Sequence, residues 1–165
     1  MKTLHRASLA ALFAVAVPAA AVAGPTRACP PVTPQAIEAK FDRFNAAWAT
    51  LDPDKVTALF TAEPVLLPTL SNRPRTTPAA VRDYFVGFLK NKPVGRIDTS
   101  TTEIDCNTVS RVGTWTVTLT DPATGSTREV KARYSFIYRF EDKDWKIDHL
   151  HSSAMPEAAP PAARY

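Results

Sequence analysis

Apolar positions in the first half of the chain recur with the period of an α-helix. After Thr33, a capping residue followed by proline, they lie three or four residues apart on one stripe: Ile37, Phe41, Phe44, Trp48 and Leu51. Asp52 and the proline after it end this helix and start a short second one, and Thr77 with its proline starts a third. Residues 64–68 predict a short apolar strand between prolines. The pattern therefore predicts three helices interleaved with a strand.

From Arg96 onward the apolar positions follow a period of two, which indicates β-strands. One face is apolar in each of two long segments, with Trp115, Val117 and Leu119 in the first and Tyr134, Phe136, Tyr138 and Phe140 in the second. Because each strand offers one apolar face, helices must cover that face. We therefore predict an α+β fold, a half-open cone in which three N-terminal helices pack on a curved, mostly antiparallel sheet.

The last predicted strand carries the most unusual chemistry of the chain. Ideal alternation places five of its residues on one face: Trp145, Ile147, His149, His151 and Ser153. Large apolar residues begin that face, and two imidazoles and a hydroxyl continue it, as expected for the wall of a pocket. We predict a pocket lined by Tyr84, Trp115, Tyr134, Trp145 and Ser153.

His149 and His151 are the candidate catalytic residues, because histidine titrates near neutral pH and can act as a general acid or base. Two imidazoles at this spacing can also share a metal ion, but the local sequence offers no third ligand, so we predict no metal and no cofactor. The alternative is that both rings are core or interface residues, hydrogen-bonded to the backbone or to Ser153. Whether the chain is an enzyme stays open.

The N-terminal residues 1–23 have the features of a secretory signal peptide. Lys2 and Arg6 precede a short apolar run, and Ala21-Val22-Ala23 fits a cleavage site. The run is too short to span a bilayer as a helix, although an uncleaved anchor is the alternative. We expect a periplasmic or secreted protein, free of the membrane after cleavage. An extended lead-in at 24–32 is followed by one domain at 33–155 and a disordered Ala/Pro-rich tail at 156–165.

Charge and cysteine content narrow the possibilities further. Without Lys2 and Arg6, 18 basic side chains remain against 16 acidic ones, a net charge of +2, and the basic residues form no stripe. This argues against nucleic-acid binding. The chain has two cysteines, Cys29 and Cys106. In an oxidising compartment two cysteines more often pair, so we predict a disulfide bond, with two free buried thiols as the alternative.

Several segments resemble the association domain of calcium/calmodulin-dependent protein kinase II, in the nuclear transport factor 2-like or SnoaL-like superfamily. The last strand, from Trp145 to Pro156, is similar to a Trp-x-Ile strand of that family that ends in a His-x-His segment before a proline. Exported bacterial members of the SgcJ/EcaC type resemble the chain along nearly all of its mature length. The shared features lie at residues 65–68, 75–77, 83–85, 133–136 and 151–156.

The resemblance implies a cystatin-like cone that associates with itself through the outer face of its sheet, as a homodimer or a larger ring. It implies no kinase activity, since the sequence has no Gly-rich nucleotide loop and no kinase catalytic loop. In the association domain, arginines point into the pocket. By strand register they correspond to positions near Trp115, Ser135 and Ser152 here, and none of these three residues is an arginine. We expect an exported, self-associating domain that binds a small apolar or amphipathic molecule. The alternative is an isomerase, cyclase or hydrolase that uses His149 or His151.

Overall fold

Three helices and five strands make up the part of the chain that the computed structural model describes, residues 28–156. In chain order they are α1 (Pro34–Ala49), α2 (Pro53–Thr57), β1 (Phe60–Leu67), α3 (Pro78–Phe88), β2 (Val94–Ile104), β3 (Thr108–Thr120), β4 (Thr127–Glu141) and β5 (Asp144–Ala154), with a 3-10 turn at Leu89–Asn91. The predicted α+β fold with three helices is confirmed. The predicted signal peptide and the tail after residue 156 lie outside the described residues.

Each α-helix begins at a proline that follows a capping side chain. Thr33, Asp52 and Thr77 accept hydrogen bonds from backbone N–H groups two or three residues further on, at 3.2, 2.9 and 3.2 Å respectively. These N–H groups have no partner within the helix, so the cap satisfies them, and proline has no N–H to satisfy at the first position. The cap and proline pattern therefore located all three helix starts.

The five strands form one sheet in the order β1-β5-β4-β3-β2, in which β1 runs parallel to β5 and the other neighbours are antiparallel. The core lies between this sheet and the helices, with Phe44 of α1 at its centre. Its ring centroid is 5.5 Å from that of Phe136 on β4 and 6.3 Å from that of Phe85 on α3, both edge-on. Such aromatic contacts stabilise the fold beyond the burial of apolar area, so they hold α1 against both the sheet and α3.

Strand β5 departs from ideal alternation at Asp148. Tyr138 of β4 pairs with Ile147, and the preceding β4 residue, Ile137, pairs with His149. Asp148 is therefore one residue too many for its partner strand, which is the definition of a β-bulge.

The bulge reverses which side chains of β5 point into the core, because one extra residue shifts the period-2 alternation by one position. Before the bulge Trp145 and Ile147 are buried, whereas after it the buried residues are Leu150 and Ser152. Paired residues of neighbouring strands share a face. The β4 partners of His149, His151 and Ser153 are Ile137, Ser135 and Arg133, which point outward. The predicted common face is therefore wrong for its last three members, His149, His151 and Ser153, which lie on the outer face.

Side chains from both neighbouring strands hold the Asp148 carboxylate. The Thr61 hydroxyl of β1 donates to one oxygen at 3.2 Å, and the Arg139 guanidinium of β4 donates to the other at 3.0 Å. A charge-assisted hydrogen bond is stronger than a neutral one, so these contacts stabilise the bulged conformation from both sides.

The predicted disulfide bond between Cys29 and Cys106 is present, with the two Cα atoms 4.7 Å apart. It joins the lead-in before α1 to the turn between β2 and β3. Within residues 28–156, no helix combines the length and the apolar character needed to cross a membrane.

Candidate ligand cavity

A cavity of about 40 Å³ lies between the helices and the inner face of the sheet. Its walls are formed mainly by aromatic and aliphatic side chains of α1, α3 and strands β3 to β5, including Trp48, Phe85, Phe88, Trp115, Leu119 and Leu150. The helical stripes and the strand alternation supply these residues, and the bulge supplies Leu150. Leu70, in the loop between β1 and α3, also lines the cavity but is 49% exposed, so it lies at the rim.

One hydrogen-bonded polar cluster interrupts the apolar wall, and Ser152 is its centre. The Ser152 hydroxyl accepts a hydrogen bond from the Trp115 indole N–H at 3.1 Å and a second from the Thr69 hydroxyl. Ser152 is only 7% exposed, and all three residues line the cavity. The cluster therefore joins β3, β5 and the loop between β1 and α3, residues 68–77, which we call the rim loop.

Tyr84 of α3 is the ionisable residue of the cavity wall. Burial raises the pKa of its phenol strongly, although the positive charge of Arg75 opposes the shift. The Arg75 guanidinium lies over the Tyr84 ring, 5.9 Å from its centroid. Tyr84 is therefore a neutral phenol at physiological pH, which can donate a hydrogen bond but cannot serve as a base.

The structure brings together two of the five predicted pocket residues, Tyr84 and Trp115. Tyr134 and Trp145 are buried but lie outside the lining of this cavity, and the Tyr134 hydroxyl donates instead to the Thr99 carbonyl of β2 at 3.1 Å. Ser153 lies on the outer face. Sequence reasoning missed Ser152 as a residue of the cavity wall, because ideal alternation contains no sign of the bulge.

The two histidines lie on the outer face of the sheet, away from the cavity. Burial lowers the pKa of His149, the charge of His151 lowers it further, and Asp148 opposes the shift. His149 is therefore a neutral imidazole at pH 7. His151 is exposed and lines an outer hollow of about 190 Å³ together with Ser71, Asn72 and Ser152, the last of which also lines the cavity. Their catalytic role stays a prediction.

No cluster of three or more His, Cys, Asp or Glu side chains that could hold a metal ion occurs within residues 28–156. The two outer-face histidines therefore have no third ligand of these types close enough to complete a metal site in the described chain.

Capped helices cover one face of a sheet of order β1-β5-β4-β3-β2, and a cavity lies between the two layers. This arrangement defines a class of small two-layer α+β domains. The SnoaL-like domain family matches residues 41–147. The chain is a member of this family.

Solved structures share this fold over most of their length. A Xanthomonas campestris protein that carries the name of the calcium/calmodulin-dependent protein kinase II association domain is 41% identical, with a TM-score of 0.73, over 80% of this chain and 95% of that one. A nuclear transport factor 2-like protein of Salmonella enterica is 16% identical, with a TM-score of 0.64, over 79% and 96%. A protein of Novosphingobium aromaticivorans described as having a cystatin-like fold is 11% identical, with a TM-score of 0.62, over 74% and 82%. No curated protein matches the chain.

Proposed function

We propose that the protein is an exported, self-associating domain that holds a small apolar or amphipathic molecule in the cavity between its helices and sheet. The observation that carries the proposal is the cavity itself, which has an apolar wall and one polar cluster around Ser152. Binding sites for small molecules typically combine a mostly apolar lining with a few well-placed polar groups.

Ligand entry requires the cavity to widen. Its volume of about 40 Å³ is well below the roughly 150 Å³ of an engineered cavity that admits benzene. The rim loop is the segment that can give way, because Leu70 is 49% exposed and has little apolar contact to lose. We expect Leu70 to move outward when a ligand enters, while Thr69 keeps its hydrogen bond to Ser152.

The three tryptophans of the chain provide a direct test with an internal control. Trp48 and Trp115 line the cavity, whereas Trp145 is buried elsewhere. With ethylbenzene as the probe, we expect the indole N–H signals of Trp48 and Trp115 in ¹H–¹⁵N spectra to shift with saturation, while that of Trp145 stays in place. Trp→Phe variants assign the signals. Equal, non-saturating shifts of all three signals, or none, would count against the cavity as a binding site.

Self-association is supported by aliphatic side chains on the outer face of the sheet. Val112 of β3 is 39% exposed, and Val65, Leu67 and Ile137 are half-buried on the same face. The 41% identical relative is named for an association domain, which favours a second copy of the chain as the partner.

Sedimentation velocity tests the assembly. We expect a dimer or larger ring for the native chain, and a monomer for Val112→Lys, because a lysine would be buried without a partner charge. Val86→Lys is the matched control, since Val86 is 43% exposed on α3, away from the sheet. A monomeric native protein, or an unchanged assembly in Val112→Lys, would contradict this part of the proposal.

Export is supported by the signal-peptide features of residues 1–23 and by the Cys29–Cys106 disulfide bond, because such bonds persist mainly in oxidising compartments. Expression of the full chain in a Gram-negative host, followed by cell fractionation and intact-mass analysis, tests it. We expect periplasmic protein that begins at Gly24 and carries one disulfide bond. Uncleaved protein in the cytoplasm would contradict the assignment.

A second candidate function is acid–base catalysis on the outer face. It is favoured by the position of His151, which lines a hollow of about 190 Å³ with three other polar side chains and lies two residues from the neutral His149. Hydrolysis of p-nitrophenyl acetate is a generic probe of such an imidazole. A rate above buffer that is lost in His151→Ala, and kept in Ser153→Ala on the same outer face, would support it. Equal rates for native protein and His151→Ala would refute it for this probe.

A further inference from the structure

We infer that the cavity selects an uncharged ligand with a hydrogen-bond acceptor, such as a carbonyl oxygen, and that the Ser152 hydroxyl is the group that recognises it. This inference rests on the proposed ligand-binding function and names the ligand class for the same cavity. It follows from the inventory of hydrogen-bonding groups on the cavity wall.

Ser152 has one hydrogen-bonding capacity left. A serine hydroxyl has one proton to donate and two lone pairs to accept. The Trp115 indole N–H takes one lone pair at 3.1 Å, and the Thr69 hydroxyl takes the other. Within residues 28–156, no acceptor receives the Ser152 proton, although the side chain is nine-tenths buried. An unmet buried donor costs about 1–3 kcal/mol, which an acceptor atom of a ligand would recover.

Two other polar groups of the wall also have a proton to donate. Tyr84 keeps its phenolic proton, because burial raises its pKa. The Trp48 indole N–H is buried without a partner among the described residues. At Ser152, therefore, a ligand oxygen meets a free donor, whereas a ligand that only donates finds both lone pairs occupied.

Charge excludes a carboxylate ligand. None of the described residues that line the cavity carries a charge. Arg75 lies over Tyr84 but outside the lining, and its guanidinium donates to the Arg73 carbonyl at 3.1 Å and the Ser71 hydroxyl at 3.4 Å. An anion would lose its hydration on entering without meeting a cation, which is strongly unfavourable. The ligand class is therefore a neutral, mainly apolar molecule with an acceptor oxygen.

Three probes of similar shape test the inference: acetophenone, ethylbenzene and benzoate. They present a carbonyl, a methylene and a carboxylate at the same point of one ring. We expect the carbonyl stretch of bound ¹³C-labelled acetophenone to lie at lower frequency than in hexane, as for a hydrogen-bonded ketone. Benzoate at pH 7.5 should bind at least about tenfold more weakly than acetophenone. Neither measurement needs a variant.

Ser152→Ala assigns the hydrogen bond, and Ser153→Ala, its neighbour on the outer face, is the matched control. In Ser152→Ala the affinity for acetophenone relative to ethylbenzene should fall by about 2- to 10-fold, the range for one net hydrogen bond. The carbonyl band should change in frequency, because the Ser152 donor is gone and the Trp115 N–H and the Thr69 hydroxyl, which lose their acceptor, are the groups left to contact the ketone. In Ser153→Ala both should stay as in the native protein.

The outcomes separate the two proposals. If neither acetophenone nor ethylbenzene binds, the cavity function itself fails and this inference fails with it. If ethylbenzene binds but the acetophenone carbonyl is not hydrogen-bonded, or benzoate binds best, only the ligand class is overturned. If the carbonyl band of bound acetophenone keeps the same frequency in Ser152→Ala as in the native protein, the donor is another group and the assignment to Ser152 is overturned. Should Ser152→Ala fail to fold, the native measurements with the three probes still decide the ligand class.

Discussion

Removal of the Cys29–Cys106 disulfide bond is expected to destabilise the domain substantially. The two cysteines are 77 residues apart in sequence, so the bond closes a loop that contains all three helices and strands β1 and β2. In the loop-entropy model, closing 77 residues lowers the entropy of the unfolded chain enough to stabilise the fold by about 4.5 kcal/mol. Measured values typically lie at about 2–4 kcal/mol, so we expect a loss in that range.

The assay is urea unfolding of Cys29→Ser/Cys106→Ser beside the native protein, followed by tryptophan fluorescence and far-UV circular dichroism. With a slope of about 2 kcal/mol per molar urea, a loss of 2–4 kcal/mol lowers the midpoint by about 1–2 M. Reductant should shift the native protein toward the variant and leave the variant unchanged, which is the control. An unchanged midpoint with an unchanged slope would refute the reasoning, because the loop would then not restrict the unfolded chain.

Three further predictions concern single residues. Gly113→Ala should lower the free energy of unfolding by about 1–3 kcal/mol or more, because the new Cβ would lie 2.0 Å from the Thr99 carbonyl oxygen. Gly87→Ala is the control, because nothing lies within 4 Å of its new Cβ, and it should be neutral or slightly stabilising in urea melts. Asn45→Ala should cost about 1–3 kcal/mol, since its amide makes two hydrogen bonds of 3.0 and 2.9 Å to the backbone of β2, and an unchanged melt would contradict this. Burial lowers the pKa of His149 in the folded protein, so as the pH falls below about 6.5 the unfolded chain protonates this imidazole first. The melting temperature should therefore drop on acidification, and the drop should be smaller in His149→Gln. Equal pH profiles of the melting temperature would refute the lowered pKa of His149.

The layers of the fold could be predicted from the sequence because they depend on local patterns. The helix starts at Thr33 and Thr77 follow from a capping side chain before proline, and the inward faces of β3 and β4 follow from strict alternation. Strand β1 was underestimated: it begins at Phe60 instead of Pro64, since its first residues pair with β5 across a large sequence distance. Local composition carries little information on such pairing.

The cavity wall could be predicted only in part, and the reason lies at one residue. Tyr84 and Trp115 follow from the helical stripe and the strand alternation, but Ser152 points inward only because Asp148 is an extra residue in β5. The bulge is held by Thr61 and Arg139 on two other strands. A pattern read along one strand contains neither contact, so the change of face is a tertiary effect.

The same bulge places two kinds of surface on adjacent residues of one strand. Ser152 lies in the cavity wall, whereas His151 before it and Ser153 after it lie on the outer face, where a second copy of the chain is proposed to pack. Val112 on the outer face lines neither the cavity nor the hollow beside Ser152, so Val112→Lys and Ser152→Ala should act independently on self-association and on ligand binding. If filling the cavity nevertheless changes the assembly, these two side chains cannot transmit the effect directly. The change would then indicate movement of the β5 backbone, and the Asp148 bulge is where we expect the strand to deform.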